Sequence, residues 1–76
     1  MVTAFVMIKA NTGEADRLRD DILAIEGVES THIVAGDVDL IAKAQVETPA
    51  AVKEIAATQI QGIEGVEDTQ TYIAMD

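Results

Sequence analysis

The chain contains no cysteine, which at once removes a disulfide framework, a thiolate metal site and a cysteine nucleophile. Basic residues are scarce: five stand against fourteen acidic ones, for a formal net charge of -9. Such a balance works against direct nucleic-acid binding, which relies on Lys and Arg to neutralise phosphates. It works equally against an anionic membrane surface. No apolar run approaches the ~20 residues of a membrane-spanning helix, and no signal-peptide pattern is visible, so the expectation is a soluble, cytoplasmic protein. A phosphate-binding glycine loop, a nucleophile elbow and a paired-acid motif are all missing. No cofactor and no metal centre is therefore expected, and the chain reads as a non-enzyme.

What is present is a hydrophobic content of 49%, too high for a disordered acidic tail. At 76 residues this is one small domain, 1–76. A chain of that length buries only ~60% of the surface its unfolded form exposes. Without covalent staples, such domains commonly gain stability by oligomerising. Acidity combined with only three lysines points to a salt-loving source, where high ionic strength screens self-repulsion.

The segment Ile25-Glu26-Gly27-Val28-Glu29-Ser30-Thr31 returns as Ile63-Glu64-Gly65-Val66-Glu67-Asp68-Thr69, identical at six of seven positions. The offset is half the chain, and Val2/Leu40, Ala4/Ala42, Ile8/Val46 and Ile22/Ile60 keep it. Two copies of one supersecondary unit are implied, since a solenoid needs three or more.

Val2, Ala4, Val6 and Ile8 alternate with Thr3, Phe5, Met7 and Lys9, as a strand does. Thr12 is the expected N-cap of a helix carrying Ala15, Leu18, Ile22 and Ile25 on its apolar face, which Gly27 ends. Residues 28–35 form a second strand, Gly36-Asp37 a two-residue hairpin turn, and residues 38–46 a third strand. Thr48-Pro49 starts a second helix with Val52, Ile55, Ala56, Gln59, Ile60 and Ile63 at helical spacing. Residues 66–75 make the last strand. The order β-α-β-β-α-β and the chirality of crossovers predict an α+β, ferredoxin-like fold. Its four-stranded antiparallel sheet is ordered 4-1-3-2, with both helices on one face.

If Val2, Ala4, Val6 and Ile8 face the helices, with Leu40, Ala42, Ala44 and Val46 beside them, then Phe5, Met7 and Ile41 point the other way. Ile33 and Ile73 are candidates for that outer set. Monomers rarely leave such a patch in water, and burying each residue is worth roughly 1.5–3 kcal/mol at most. The expectation is a dimer whose sheets pack face to face, through Phe5, Met7 and Ile41.

Candidates for chemistry are few. His32 could be a base or a ligand, but it has no second histidine to work with and reads as a surface histidine. Asp37 suits a turn. Asp39 lies beside Ile41, so it either sits at a wet rim or holds a cation such as a ligand ammonium. Thr69 and Thr71 project from one face of the last strand and could orient a polar ligand, although threonines are also ordinary strand formers. Glu29 and Glu67 read as solvated strand starts; Met1, Met7 and Met75 read as packing.

The chain resembles the effector-binding (RAM) domain of the leucine-responsive regulatory protein/AsnC family. The resemblance rests on Thr3-Ala4-Phe5-Val6-Met7-Ile8, Ile25-Glu26-Gly27-Val28, Val34-Ala35-Gly36-Asp37-Val38-Asp39-Leu40 and Gly65-Val66-Glu67-Asp68-Thr69-Gln70-Thr71. It implies sheet-joined dimers assembling into larger rings, commonly octamers, that bind small effectors such as amino acids between dimers. Carried onto this chain, Gly36, Asp39, Thr69 and Thr71 would line that site, with Asp39 attracting an ammonium group. Val38 departs from the bulkier residue often found before the motif aspartate, which could open the pocket. Family regulators carry a DNA-binding helix-turn-helix before this domain, whereas here the sequence starts at the first strand. A stand-alone sensor is expected, acting with itself or with full-length regulators. Together with the acidic composition, the resemblance implies a halophilic archaeon. The alternatives are a dimeric α+β barrel enzyme and an ACT-like amino-acid-binding or structural assembly domain.

Overall fold

The computed structural model describes residues 1–76, the side chain of Thr12 excepted. Strand β1 (Val2–Ala10) is followed by a 3₁₀ turn at Thr12–Glu14, helix α1 (Ala15–Leu23), β2 (Val28–Ile33) and β3 (Leu40–Val46). Helix α2 (Pro49–Lys53) continues into a π-helical stretch (Glu54–Ile60), and β4 (Val66–Ile73) closes the sheet. The strand order is β2-β3-β1-β4, all antiparallel, which is the expected arrangement read from its other edge. The two most apolar strands are central. Ala4, Val6, Ile8, Leu40, Ala42 and Ala44 are buried beneath Leu18 and Ile22 of α1 and Ile55, Ala56 and Ile60 of the second helix.

The repeated heptapeptide encodes one manoeuvre twice. Helix α1 ends at Leu23 and the second helix at Ile60, before either glycine is reached, so Gly27 does not end α1 as expected. Gly27 and Gly65, at φ of 98° and 104°, are the third residues of two turns that the Val28 and Val66 N–H groups close onto the Ile25 and Ile63 carbonyls at 3.1 Å. One residue later each strand slips register, between Val28 and Ser30 in β2 and between Val66 and Asp68 in β4. Glu29 and Glu67 are the extra residues of these two bulges, both exposed. Glu29 also lies 3.5 Å from the Lys43 ammonium across the sheet.

Several expectations need correcting. A bulge reverses the side-chain alternation beyond it. Ile33 consequently pairs with Leu40 and Ile73 with Ala4, so both lie on the helix side and not in the outer set. His32 and Tyr72 occupy the outer face instead, opposite Ile41 and Phe5. The two-residue hairpin is a longer connection, 34–39, with strands ending at Ile33 and resuming at Leu40. Met1 and Met75 are almost fully exposed, and only Met7 is part of the packing. Gln59 is exposed, because the helix widens over Glu54–Ile60 and keeps Ile60 in the core. The cap expected at Thr12 lies outside the described residues; the Asn11 side chain accepts from the Gly13 N–H at 3.1 Å. Thr48 caps α2 as expected, accepting from the Ala51 N–H at 3.2 Å.

The outer face of the sheet, with Phe5, Met7, Ile41 and Lys43 half-buried among their neighbours, carries no helix. At one end of the sheet the Ala74 N–H donates to the Thr3 carbonyl at 2.9 Å, fastening the end of the chain to its beginning.

Candidate functional site

The loop 34–39 is tied to β1 by one residue. The Asp39 N–H donates to the Ile8 carbonyl and the Asp39 carbonyl accepts from the Val34 N–H, both at 2.9 Å. The Asp39 carboxylate accepts from the Ala10 N–H at 2.9 Å. It supplies a charge-assisted partner to a backbone donor near the sheet's end. This bond is a sufficient reason for a carboxylate at the position, and it leaves Oδ1 free of any hydrogen bond among the described residues. Gly36 is exposed, and nothing lies within 4 Å of where its Cβ would stand.

Thr69 and Thr71 pair with Ile8 and Val6, on the helix side of β4. The Thr69 hydroxyl donates to the Gln61 side-chain carbonyl at 2.8 Å. Both threonines line an open groove of about 310 Å³ between the second helix and β4. Its other walls are Pro49, Val52, Lys53, Ala56, Ala57, Gln61 and Ile73. The lining is apolar apart from two hydroxyls, one carboxamide and one ammonium, and it contains no acid. Lys53 makes no ion pair within 4 Å among the described residues.

The four expected ligand residues are therefore not gathered in one cavity of a single chain. Thr69 and Thr71 share the groove. Asp39 and Thr69 flank Ile8 from opposite sides, about two strand spacings or ~10 Å apart. A smaller hollow of about 200 Å³ joins Thr69 to the loop through Asp37 and Val38, with Met7, Lys9, Asp68 and Gln70 around it. Sequence reading missed the helix wall of the groove. The signal was there: Lys53, Ala57 and Gln61 recur every fourth residue along one flank.

Elsewhere the chain offers less. His32 is exposed on the outer sheet face. No group of three potential metal-binding side chains occurs among the described residues. A third, open hollow of about 610 Å³ is rimmed by Glu26, Glu47 and Glu54. Arg17 bonds Glu14 at 2.9 Å, Asp21 at 3.2 Å and the Glu64 carbonyl at 2.7 Å, tying α1 to the repeat of the other half. The hydrogen bond with Glu14 raises its pKa, so the guanidinium stays charged. No helix is long and apolar enough to cross a membrane.

The family described as the Lrp/AsnC ligand binding domain matches residues 3–76. The leucine-responsive regulatory protein of Escherichia coli (strain K12) is 29% identical over 75 residues, covering 95% of this chain and 46% of the relative. The chain thus spans about half the length of the curated relatives it matches. The crystal structure of TTHA0845 from Thermus thermophilus superimposes with a TM-score of 0.94 at 29% identity, covering 100% of this chain and 95% of that one. Transcriptional regulator NMB0573 from Neisseria meningitidis, solved as a complex with L-Met, has the same fold. Its TM-score is 0.80 at 19% identity, over 99% of this chain and 50% of that one.

Proposed function

The chain belongs to the Lrp/AsnC ligand-binding domain family, and from that premise we propose that it is a non-enzymatic module that senses a small molecule and acts in transcriptional regulation. The match of the family across residues 3–76 carries this reading. The effector is of amino-acid type, a class supported by the L-Met complex of the Neisseria regulator. In the assembly, Gly36 and Asp39 of one subunit's loop meet Thr69 and Thr71 of a neighbour's last strand. The free Oδ1 of Asp39 and the groove position of both threonines support that arrangement. Dimers form through Phe5, Met7 and Ile41 and build higher rings, an octamer by analogy with the family. Full-length regulators of the family are the further partners, and they supply the contact with DNA that a chain of net charge -9 disfavours. The site of action is the cytoplasm, and the acid surplus supports a salt-loving source.

The barrel-enzyme alternative needs a catalytic group between sheet and helices. Among the described residues Thr31 is the single polar one whose side chain is buried there, which supports the non-enzymatic reading. Calorimetric titration with the common amino acids tests the sensor. Heat of binding that disappears in Thr71→Val is the expected result, and silence at millimolar concentrations of every amino acid would overturn it. Co-purification with a helix-turn-helix relative tests the partner.

A further inference from the structure

The two turns of the repeat share a backbone and differ in the side chain set against them. At the offset of the repeat, Arg17 corresponds to Ile55 and Glu64 to Glu26. The correspondence is structural as well as sequential. The Arg17 Nη2 lies 3.2 Å from where a Cβ on Gly65 would stand, and the Ile55 Cδ1 lies 2.9 Å from where one on Gly27 would. Beside Gly65 the guanidinium donates to the Glu64 carbonyl at 2.7 Å and to the carboxylates of Glu14 at 2.9 Å and Asp21 at 3.2 Å. One turn carbonyl and two acids therefore hold a guanidinium in this fold. Beside Gly27 the acceptors remain and the cation is replaced. Ile55 is buried and uncharged, and the Glu26 carbonyl accepts no hydrogen bond among the described residues. Glu26, Glu47 and Glu54 rim the open hollow of about 610 Å³ at this turn. None of the three makes an ion pair within 4 Å among the described residues. Val46, Ala51 and Ile55 line the same hollow with apolar surface.

We propose that the hollow beside Gly27 docks an arginine side chain of a basic partner protein, repeating between two chains the contact that Arg17 makes within one. The guanidinium donates to the Glu26 carbonyl and to the carboxylates of Glu47 and Glu54 in charge-assisted contacts. Its methylene stem lies along Val46, Ala51 and Ile55, as the stems of long cationic side chains do on apolar surface. Arginine suits the place better than lysine, because its donors are fixed in a planar fork that serves a carbonyl and carboxylates together. The occupant is not a second copy. The chain has a net charge of -9 and two arginines; Arg17 is engaged, and Arg19 lies 3.8 Å from Asp16 and 3.4 Å from Asp20. Presenting Arg19 to another copy's hollow would bring those acids against Glu26, Glu47 and Glu54. A chain of opposite charge meets no such repulsion, and its approach is favoured by the acid surplus as a whole. Asp39, Thr69 and Thr71 take no part in lining this hollow, so the contact is separate from the effector site.

The test is NMR titration of the intact, isotope-labelled chain with the peptide acetyl-Ala-Leu-Arg-Leu-Ala-amide, its citrulline and lysine analogues, and propylguanidinium. The blocked ends deny the peptides the α-ammonium and carboxylate that an amino-acid site takes. The arginine peptide is expected to shift the signals of Gly27, Ala51 and Ile55. Citrulline, of the same shape without the charge, should bind about tenfold weaker or worse. Lysine and the bare propylguanidinium should each bind several-fold weaker. Glu47→Gln with Glu54→Gln should weaken the arginine peptide by about tenfold or more. Ile55→Arg, which restores the first half's side chain, should fill the hollow from within and abolish binding. Should that variant fail to fold, the paired glutamines decide alone, because Glu47 and Glu54 are exposed and outside the core. Equal binding of the citrulline peptide, shifts confined to Thr69 and Thr71, or no shift at millimolar peptide overturns the proposal. Propylguanidinium binding as tightly as the peptide overturns the protein partner in favour of a diffusible guanidinium.

Discussion

Gly27 and Gly65 occupy equivalent places in the repeat and share a left-handed backbone, yet a methyl group would cost them different amounts. At Gly27 a Cβ would stand 2.9 Å from the Ile55 Cδ1 and 3.0 Å from the Val46 Cγ1, both packed against the core. At Gly65 it would crowd the ends of the Glu14 and Arg17 side chains, at 3.1 and 3.2 Å, which can swing away, and would meet the Leu18 Cδ1 at an ordinary contact distance of 3.6 Å. Gly27→Ala should destabilise by about 2–4 kcal/mol, backbone and overpacking together, and Gly65→Ala by about 1–2 kcal/mol. Urea unfolding of the two variants would show equal losses if this packing difference were wrong. Asp39 allows a similar separation. Asp39→Ala should cost about 1–3 kcal/mol by stranding the Ala10 N–H, while Asp39→Asn keeps an acceptor and should cost under ~1 kcal/mol. Effector binding lost in the asparagine variant at unchanged stability would assign the charge a role beyond the loop. The sequence did reveal that a charge next to Ile41 needed a reason. It could not reveal Ala10 as the partner, because the two are 29 positions apart and meet only once β1 and the loop are assembled.

Elements were legible where their signals are local. Thr48-Pro49 announces the start of α2, and the Thr48 hydroxyl does cap it. Thr48→Ala should accordingly cost about 0.5–2 kcal/mol in thermal or urea unfolding. A loss outside that range would mean the cap is not what holds the helix start. The π-helical stretch was not legible, since buried Val52, Ile55, Ala56 and Ile60 fit a narrow or a wide helix equally. Only the outward turn of Gln59 distinguishes them. The phase of the edge strands failed for a definite reason: Glu29 and Glu67 look like ordinary strand residues, and nothing in their chemistry betrays that each is skipped in the pairing. The groove's strand wall was visible as Thr69 and Thr71. Its helix wall was written only in the four-residue spacing of Lys53, Ala57 and Gln61, which the stronger apolar stripe of Val52, Ile55 and Ile60 masks.

Acids crowd the helix side of the molecule. Glu14, Asp16, Asp20, Asp21, Glu47 and Glu54 lie on or beside the helices with Arg17, Arg19 and Lys53. On the outer sheet face, Lys9 pairs across the strands with Asp68 and Lys43 lies 3.5 Å from Glu29, beside Phe5, Met7 and Ile41. Two copies meeting sheet to sheet would keep most of their acids apart. Phe5→Asp with Ile41→Asp should therefore yield a monomer in sedimentation; persistence of the parent assembly would place the interface elsewhere. The unfolding midpoint should rise with added KCl as acid repulsion is screened, and a flat response would remove the salt-loving reading. Both the sheet order and the covered and bare faces were legible, because half-chain duplication and strand apolarity leave few topologies open. Finally, the hydrogen bond from Ala74 to Thr3 means that head and tail are next-door neighbours. A few flexible residues could close them into a circle, and the circle could be reopened at residues 35–38 without cutting a ladder bond. Such a permuted chain would run second half first, and its folding would show that the order in which the two units are synthesised is immaterial to the shape they reach.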